Sequence, residues 1–307
     1  MFRNILCKKK LSPVVMLAIL IAAVIVPAAR SAEPEAPLDI KVQTIGEGRP
    51  VLAIPGLNSR SDVFRETCEA LKGVQCHLVQ LPGFAGAPAA KHEAFLDEMS
   101  QQVLAYAKRE KLHNPAVIGH SLGGFMALKL ALAAPDEIGP LVIVDALPFL
   151  PAAGNPAATA ESNQPMAQMM RQRMSETDEA TFRQQAAASV QSMSRDPKRV
   201  EEIARWSADS DRDTTAQALY ELMTTDLRGE LGKVHSPALV LASWAAYAAL
   251  GQTQDATRAI FDAQYAALPA VRIEMSEAGY HFLMWDDPQW LRTQIAEFLA
   301  AHPAKGE

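Results

Sequence analysis

Basic charge is short in this chain: 29 Lys and Arg stand against 35 Asp and Glu in 307 residues, a formal net charge of −6. With no positive field to gather a phosphate backbone, nucleic acid is not expected as a partner. Cysteine is scarcer still, three in all, which excludes a small disulfide-stapled fold. There is no Cys/His cluster, no H-E-x-x-H run and no Gly-rich dinucleotide or phosphate loop. The sequence therefore implies no structural metal and no nucleotide cofactor. What the chain does have is hydrophobic residues, 49% of the total, enough for one large globular domain or two small ones.

Acid is absent altogether from residues 1–31. Residues 1–10 are basic (MFRNILCKKK), 11–27 are nearly all apolar, and small residues follow around Ala28, Ala29 and Ser31. That order predicts a secretory signal peptide over 1–31, cleaved after Ser31, with export to the periplasm or medium. An uncleaved anchor is the alternative, because an apolar run of this length sits at the low edge of what spans a bilayer. After cleavage no stable membrane insertion is expected. The remaining chain would carry 24 basic against 35 acidic residues, a net −11. Cys7 would leave with the signal; Cys68 and Cys76 would remain, as a disulfide in an oxidising compartment or as two independent buried thiols.

From residue 38 short apolar runs alternate with amphipathic segments. Strands are predicted at 38–45, 51–54, 76–81, 115–119 and 140–144, with helices at 61–71, 92–111 and 122–134. Fully apolar strands separated by helices indicate a mostly parallel sheet covered on both faces. Between 146 and 232 the rhythm breaks, with helical segments near 163–175, 178–194, 197–208 and 213–224 and no convincing strand. The pattern then resumes with strands at 238–243 and 271–275 and helices at 254–267 and 287–301. We expect a helical cap at 146–232 inserted into one α/β core made of 32–145 and 233–303. Met166, Met169, Met170 and Met174 fall on one helical face, read either as ordinary packing or as a pliable apolar wall over a substrate.

One motif carries chemistry: Gly119-His120-Ser121-Leu122-Gly123-Gly124, after an apolar strand and before a helix. A strand-to-helix turn tight enough to lift a serine hydroxyl off the sheet needs neighbours without bulk, which Gly119 and Gly123 supply. With this motif, and with the order of elements around it, the chain over 38–301 resembles the α/β-hydrolase family. The resemblance implies an α/β-hydrolase fold with Ser121 as nucleophile and no cofactor. It also implies an oxyanion hole from the backbone N–H groups of Leu57 and Leu122, the first lying in the loop Ile54-Pro55-Gly56-Leu57-Asn58. Many relatives have His before that Gly; this chain has Pro55.

A hydroxyl needs a base. Of seven histidines, His281 stands in Glu277-Ala278-Gly279-Tyr280-His281-Phe282, after the last strand and before the terminal helix, where the family carries its base. His120, locked in the turn beside Ser121, reads as shaping the pocket. The acid is open. The loop after 238–243 has no carboxylate; Asp255 follows it but reads as a helix N-cap. Asp145, at the end of strand 140–144, is the favoured candidate, and a Ser–His pair without an acid is the remaining option. The implied activity is cleavage of a carboxylic ester of a small-molecule acyl substrate through an acyl-enzyme. Lactonase, C–C hydrolase, aminopeptidase or haloperoxidase chemistry, or a catalytically slow ligand-binding relative, are the alternatives.

Overall fold

The computed structural model describes Met1 and residues 37–304. Apart from Met1, the expected signal peptide lies outside the described residues. Seven strands make one sheet: β1 (Lys41–Gly46), β2 (Arg49–Ile54), β3 (Val74–Gln80), β4 (Ala116–His120), β5 (Leu141–Val144), β6 (Ala238–Ala242) and β7 (Val271–Met275). The order is β1-β3-β2-β4-β5-β6-β7. Only the edge strand β1 runs antiparallel, against β3, and the other neighbours are parallel. Helices α1 (Arg65–Ala70), α2 (Phe95–Arg109) and α3 (Leu122–Ala133) follow β2, β3 and β4. Between β5 and β6 come α4 (Ala160–Glu176), α5 (Glu179–Ser189), α6 (Pro197–Ala208) and α7 (Arg212–Thr224). The chain finishes with α8 (Gln254–Tyr265), α9 (Leu283–Asp286) and α10 (Pro288–Ala301).

Why the central strands are apolar at every position is visible in their packing. Side chains of a strand alternate between faces. In β2, Leu52 and Ile54 join one core while Val51 and Ala53 join the other. In β5, Leu141 and Ile143 go one way and Val142 and Val144 the other. The first core includes Phe95 and Val103 of α2, Phe125 and Leu128 of α3 and Phe261 of α8. The second holds Cys68 of α1, Ile203 and Trp206 of α6, and Leu291 and Ile295 of α10. A sheet buried on both faces has no use for polar alternation, so a continuous Val/Ile/Leu run is what its strands require.

Cys68 of α1 and Cys76 of β3 are bonded, with their Cα atoms 6.1 Å apart. Of the two readings left open by the sequence, the disulfide is the one present. Closing so short a loop is worth about 2–3 kcal/mol on the chain-entropy account.

The helices between β5 and β6 begin at residues that cap them. Thr159 accepts from Ser162 N–H in a reciprocal capping box, and Asp178, Asp196 and Asp211 each accept a backbone N–H from the helix they precede. Such caps stabilise a helix start by about 1 kcal/mol each. The methionine stripe of α4 behaves differently from both readings of it. Met166, Met169 and Met170 are exposed. The face of α4 turned to α7 carries Asn163, Ala167 and Arg171. Asn163 Nδ2 donates to Met223 O at 2.8 Å, Arg171 donates to Gln217 at 3.0 Å and covers the Tyr220 ring. Ala167, buried and small, lets the two helices close on these polar contacts, which leaves Met166, Met169 and Met170 outward.

Candidate active site

The register of the sheet decides what can meet. Ile54 of β2 pairs with Gly119 of β4, His120 with Val144 of β5, Val144 with Leu241 of β6, and Ala242 with Met275 of β7. The carboxyl ends of five adjacent strands are therefore level. The order of strands also reverses at β2, so a crevice opens at that end of the sheet.

Ser121 directly follows β4 with φ 52° and ψ −118°. Its N–H donates to Val144 O at 2.9 Å and its carbonyl accepts from Phe125 N–H at 3.0 Å, so the residue is tied to strand β5 on one side and helix α3 on the other. The flanking glycines earn their place sterically. A Cβ on Gly119 would lie 2.2 Å from Gly123 O, and one on Gly123 would lie 2.1 Å from Ile54 O. Neither side chain is possible without moving backbone. Gly124 is similarly crowded, by the Ala146 methyl at 2.6 Å. Leu122 opens α3, so its N–H has no acceptor within the helix.

His281 and Asp145 meet at the same edge. His281 Nδ1 lies 2.6 Å from Asp145 Oδ2. Asp145 directly follows β5, again at positive φ, 46°. Ser243, the residue after β6, donates its N–H to Asp145 Oδ1 at 2.8 Å and its hydroxyl to Oδ2 at 2.9 Å. The carboxylate is 8% exposed, and these groups supply the hydrogen bonds a buried charge requires. Tyr265, buried in α8, donates its hydroxyl to Ala146 O at 2.8 Å and holds the turn after Asp145 in place.

The loop carrying His281 is fixed by its own neighbours. Gly279 N–H donates to Ser276 Oγ at 2.8 Å, and Tyr280 N–H to Asp286 Oδ2 at 3.0 Å. His120 does not shape the cavity as expected. It is buried beneath the turn, and its Nε2 bonds to the His281 carbonyl at 3.0 Å. A carbonyl only accepts, so Nε2 carries a proton. Burial, and after it the neighbouring His281, holds the His120 imidazole well below the usual histidine range.

Ser121, His281, Asp145 and Ser243 open on one cavity of about 340 Å³. Its remaining wall is mainly apolar: Leu122 and Phe125 of α3, Leu147 and Leu150 after β5, Leu222 of α7, and Ile260 and Phe261 of α8, with Gln252 and Thr257 as polar exceptions. Among the described residues no Lys or Arg lines it. Leu57 lies outside this wall. It is tied to Ser121 through its neighbour Gly56, where a Cβ would come within 3.2 Å of the Ser121 Cβ. Asp255 is not in the cluster. It sits exposed in the first turn of α8, and the cap of that helix is Thr253, which accepts Ala256 N–H. Among the described residues no group of His, Cys, Asp and Glu is arranged to hold a metal ion.

Sequence reasoning missed Ser243, Tyr265 and the supporting pair Ser276 and Asp286. Only Ser243 left a trace, as the polar residue ending an otherwise apolar strand.

Comparison with known proteins agrees with this fold. The model of the alpha/beta hydrolase family matches residues 51–294. The chain belongs to that family. Among curated relatives, the pimeloyl-[acyl-carrier protein] methyl ester esterase of Vibrio cholerae is 34% identical over 114 residues, 37% of this chain and 43% of that protein. The enzyme of the same name from Vibrio atlanticus is 28% identical over 200 residues, 64% of this chain and 76% of that protein. The match thus spans less than half the length of the first of these relatives. An esterase from Exiguobacterium antarcticum superposes with a TM-score of 0.69 at 18% identity, covering 85% of this chain and 95% of that one. A likeness at that identity speaks for the shared fold.

Proposed function

We propose that this member of the family is an exported serine hydrolase that cleaves a carboxylic ester through an acyl-enzyme. The observation that supports it most is the hydrogen bond between His281 and Asp145 at the rim of the cavity onto which Ser121 opens. In this reading His281 Nε2 takes the Ser121 hydroxyl proton as the oxygen attacks the ester carbonyl, and the Leu57 and Leu122 N–H groups receive the negative oxygen. His281 then gives that proton to the departing alcohol. Water, deprotonated by the same imidazole, attacks the acyl-serine, and the acid leaves as His281 returns that proton to Ser121 Oγ. Asp145 keeps the proton of His281 on Nδ1 and stabilises the imidazolium, without being protonated itself.

The cavity wall favours a neutral, apolar acyl group of modest size, because its lining among the described residues is mainly Leu, Ile, Phe and Ala. The relatives' names specify a methyl ester as the bond broken, which fits a small leaving alcohol. Residues 146–232 act in this reading as a cap over the acyl site, contributing Leu222 and the Leu147–Leu150 segment to its wall. Export is supported by the charge and hydropathy order of residues 1–31 and by the Cys68–Cys76 bond, which suits an oxidising compartment.

The test is hydrolysis of p-nitrophenyl butyrate and labelling by a fluorophosphonate probe. The natural chain should turn over the ester and take the label. Ser121→Ala should lose about 10⁴-fold or more of its turnover and take no label while keeping its circular dichroism spectrum. Unchanged turnover in that variant overturns the reading. The mass of the protein recovered from the periplasm tests export: it should lack residues 1–31.

A further inference from the structure

We infer that Thr215 of α7 is a positioning residue for the oxyanion site, acting through the side chain of Asn58. The inference rests on the ester-hydrolase reading and adds to it a task for the helices between β5 and β6 besides covering the cavity.

Asn58 follows Leu57, whose N–H is the proposed oxyanion donor. It stands at φ 58°, a conformation that Asn tolerates better than most side chains, and it is 8% exposed. Its Oδ1 accepts from the Thr215 hydroxyl at 2.7 Å, across a sequence separation of 157 residues. Thr215 is itself buried, 4% exposed. The hydroxyl is shared with the Asp211 carbonyl, also at 2.7 Å. That carbonyl keeps the Thr215 backbone N–H at 2.9 Å in any case. Removing the hydroxyl therefore leaves the helix bonded and deprives Asn58 alone of its partner.

The other end of the donor segment is already fixed, since Gly56 lies against His120 and Ser121. Thr215 thus anchors the residue on the far side of Leu57. A useful anchor must not move, and α7 is held to the core along its length. Asp211 N–H donates to Gly83 O at 2.7 Å, and Gly86 N–H to Asp209 O at 3.0 Å. Ala85 N–H donates to Ser210 Oγ at 2.9 Å. Further along, the Glu221 carboxylate accepts from Phe95 and Leu96 N–H at 2.7 and 2.8 Å, capping α2. Donors preorganised at a developing oxyanion work because they need not reorient during the reaction. A buried amide without its partner would shift the loop in search of another.

Thr215→Val keeps the shape of the side chain and removes only the hydroxyl. It should lower kcat for p-nitrophenyl butyrate about tenfold, a fraction of the 10²–10³ that loss of a whole oxyanion donor costs, with KM within about twofold. Binding of a trifluoromethyl ketone, whose tetrahedral adduct places an oxyanion in the same site, should weaken by the same factor. Thr215→Ser keeps the hydroxyl and should retain the natural kcat and inhibitor affinity. Asn58→Gly suits the positive φ and deletes the amide; it should fall as far as Thr215→Val, and the double variant no further. It also decides the matter if Thr215→Val does not fold. A kcat and inhibitor constant unchanged in Thr215→Val or Asn58→Gly, or a Thr215→Ser variant as impaired as the valine, overturns the inference. Failure of the hydrolase reading looks different: Ser121→Ala would then retain turnover.

Discussion

The turn after β4 and the turn after β5 do the same thing by different means. Each places a non-glycine residue one step past the strand at positive φ, 52° for Ser121 and 46° for Asp145. Each continues the ladder to the next strand, through Ser121 N–H to Val144 O and Asp145 N–H to Leu241 O. Positive φ in such residues costs about 1–3 kcal/mol and persists where the surroundings impose it. After β4 the chain must turn at once into α3, with Ile54 O and Gly123 O pressed close, so glycine is required on both sides of the serine. After β5 the chain leaves on a long excursion instead of turning straight into a helix. The clash with α3 is taken up by Gly124 on that helix, against the Ala146 methyl, so the residues flanking Asp145 need not be glycine. The first turn leaves a motif in the sequence and the second does not. Strain shared by two sites is legible only where it also excludes side chains from the neighbours.

The largest test of that comparison exchanges carboxylates for amides. Asp145→Asn should lower kcat by about 10²–10⁴-fold, because the amide no longer holds the His281 tautomer, while Asp255→Asn should stay within about twofold. Steady-state rates on p-nitrophenyl butyrate decide it; a greater loss in Asp255→Asn would break the equivalence drawn between the two turns. Next come the glycines. Gly119→Ala should destabilise the fold by about 3–5 kcal/mol in urea unfolding, as backbone must move to admit the methyl. Gly154→Ala, with nothing within 4 Å of its Cβ position, should be neutral or stabilising by up to about 1 kcal/mol. Equal effects at both positions would mean that the β4 turn is not sterically forced.

The smallest effect is one of pH, and it separates His120 from its register partner Val144. The folded protein holds His120 well below the usual value of 6.5, so below that pH the unfolded chain binds a proton that the folded chain refuses. The stability from this group is present above pH 6.5 and declines on acidification, by at most about 1.4 kcal/mol per pH unit. Urea midpoints measured from pH 7 to 5 should fall in the natural chain and fall less in His120→Gln. An identical slope in the variant would show that His120 is not kept neutral by its burial.

His281 was legible because a histidine between a last strand and a last helix falls at the end of the sheet whatever the intervening loops do. The helices α4 to α7 were legible as helices, since Thr and Asp caps and the absence of apolar runs are local signals. Their packing was not: Asn163, Ala167 and Arg171 make contacts of α4 with α7 that no hydrophobic pattern would select, while three of the four methionines that pattern did select, Met166, Met169 and Met170, are exposed. Asp255 looked like a cap because it precedes a helical run, yet Thr253 began that helix two residues earlier.

Periodicity, caps and the glycines around Ser121 are properties of neighbouring residues, and from them the chain by itself determined an α/β sheet, its elements and its candidate nucleophile and base. Which carboxylate answers His281, that Cys68 and Cys76 are bonded, and that Thr215 reaches Asn58 were decided only in three dimensions. Those contacts join residues 136, 8 and 157 positions apart, and what brings them together is strand order and register, which depend on how the whole set of apolar faces is buried at once.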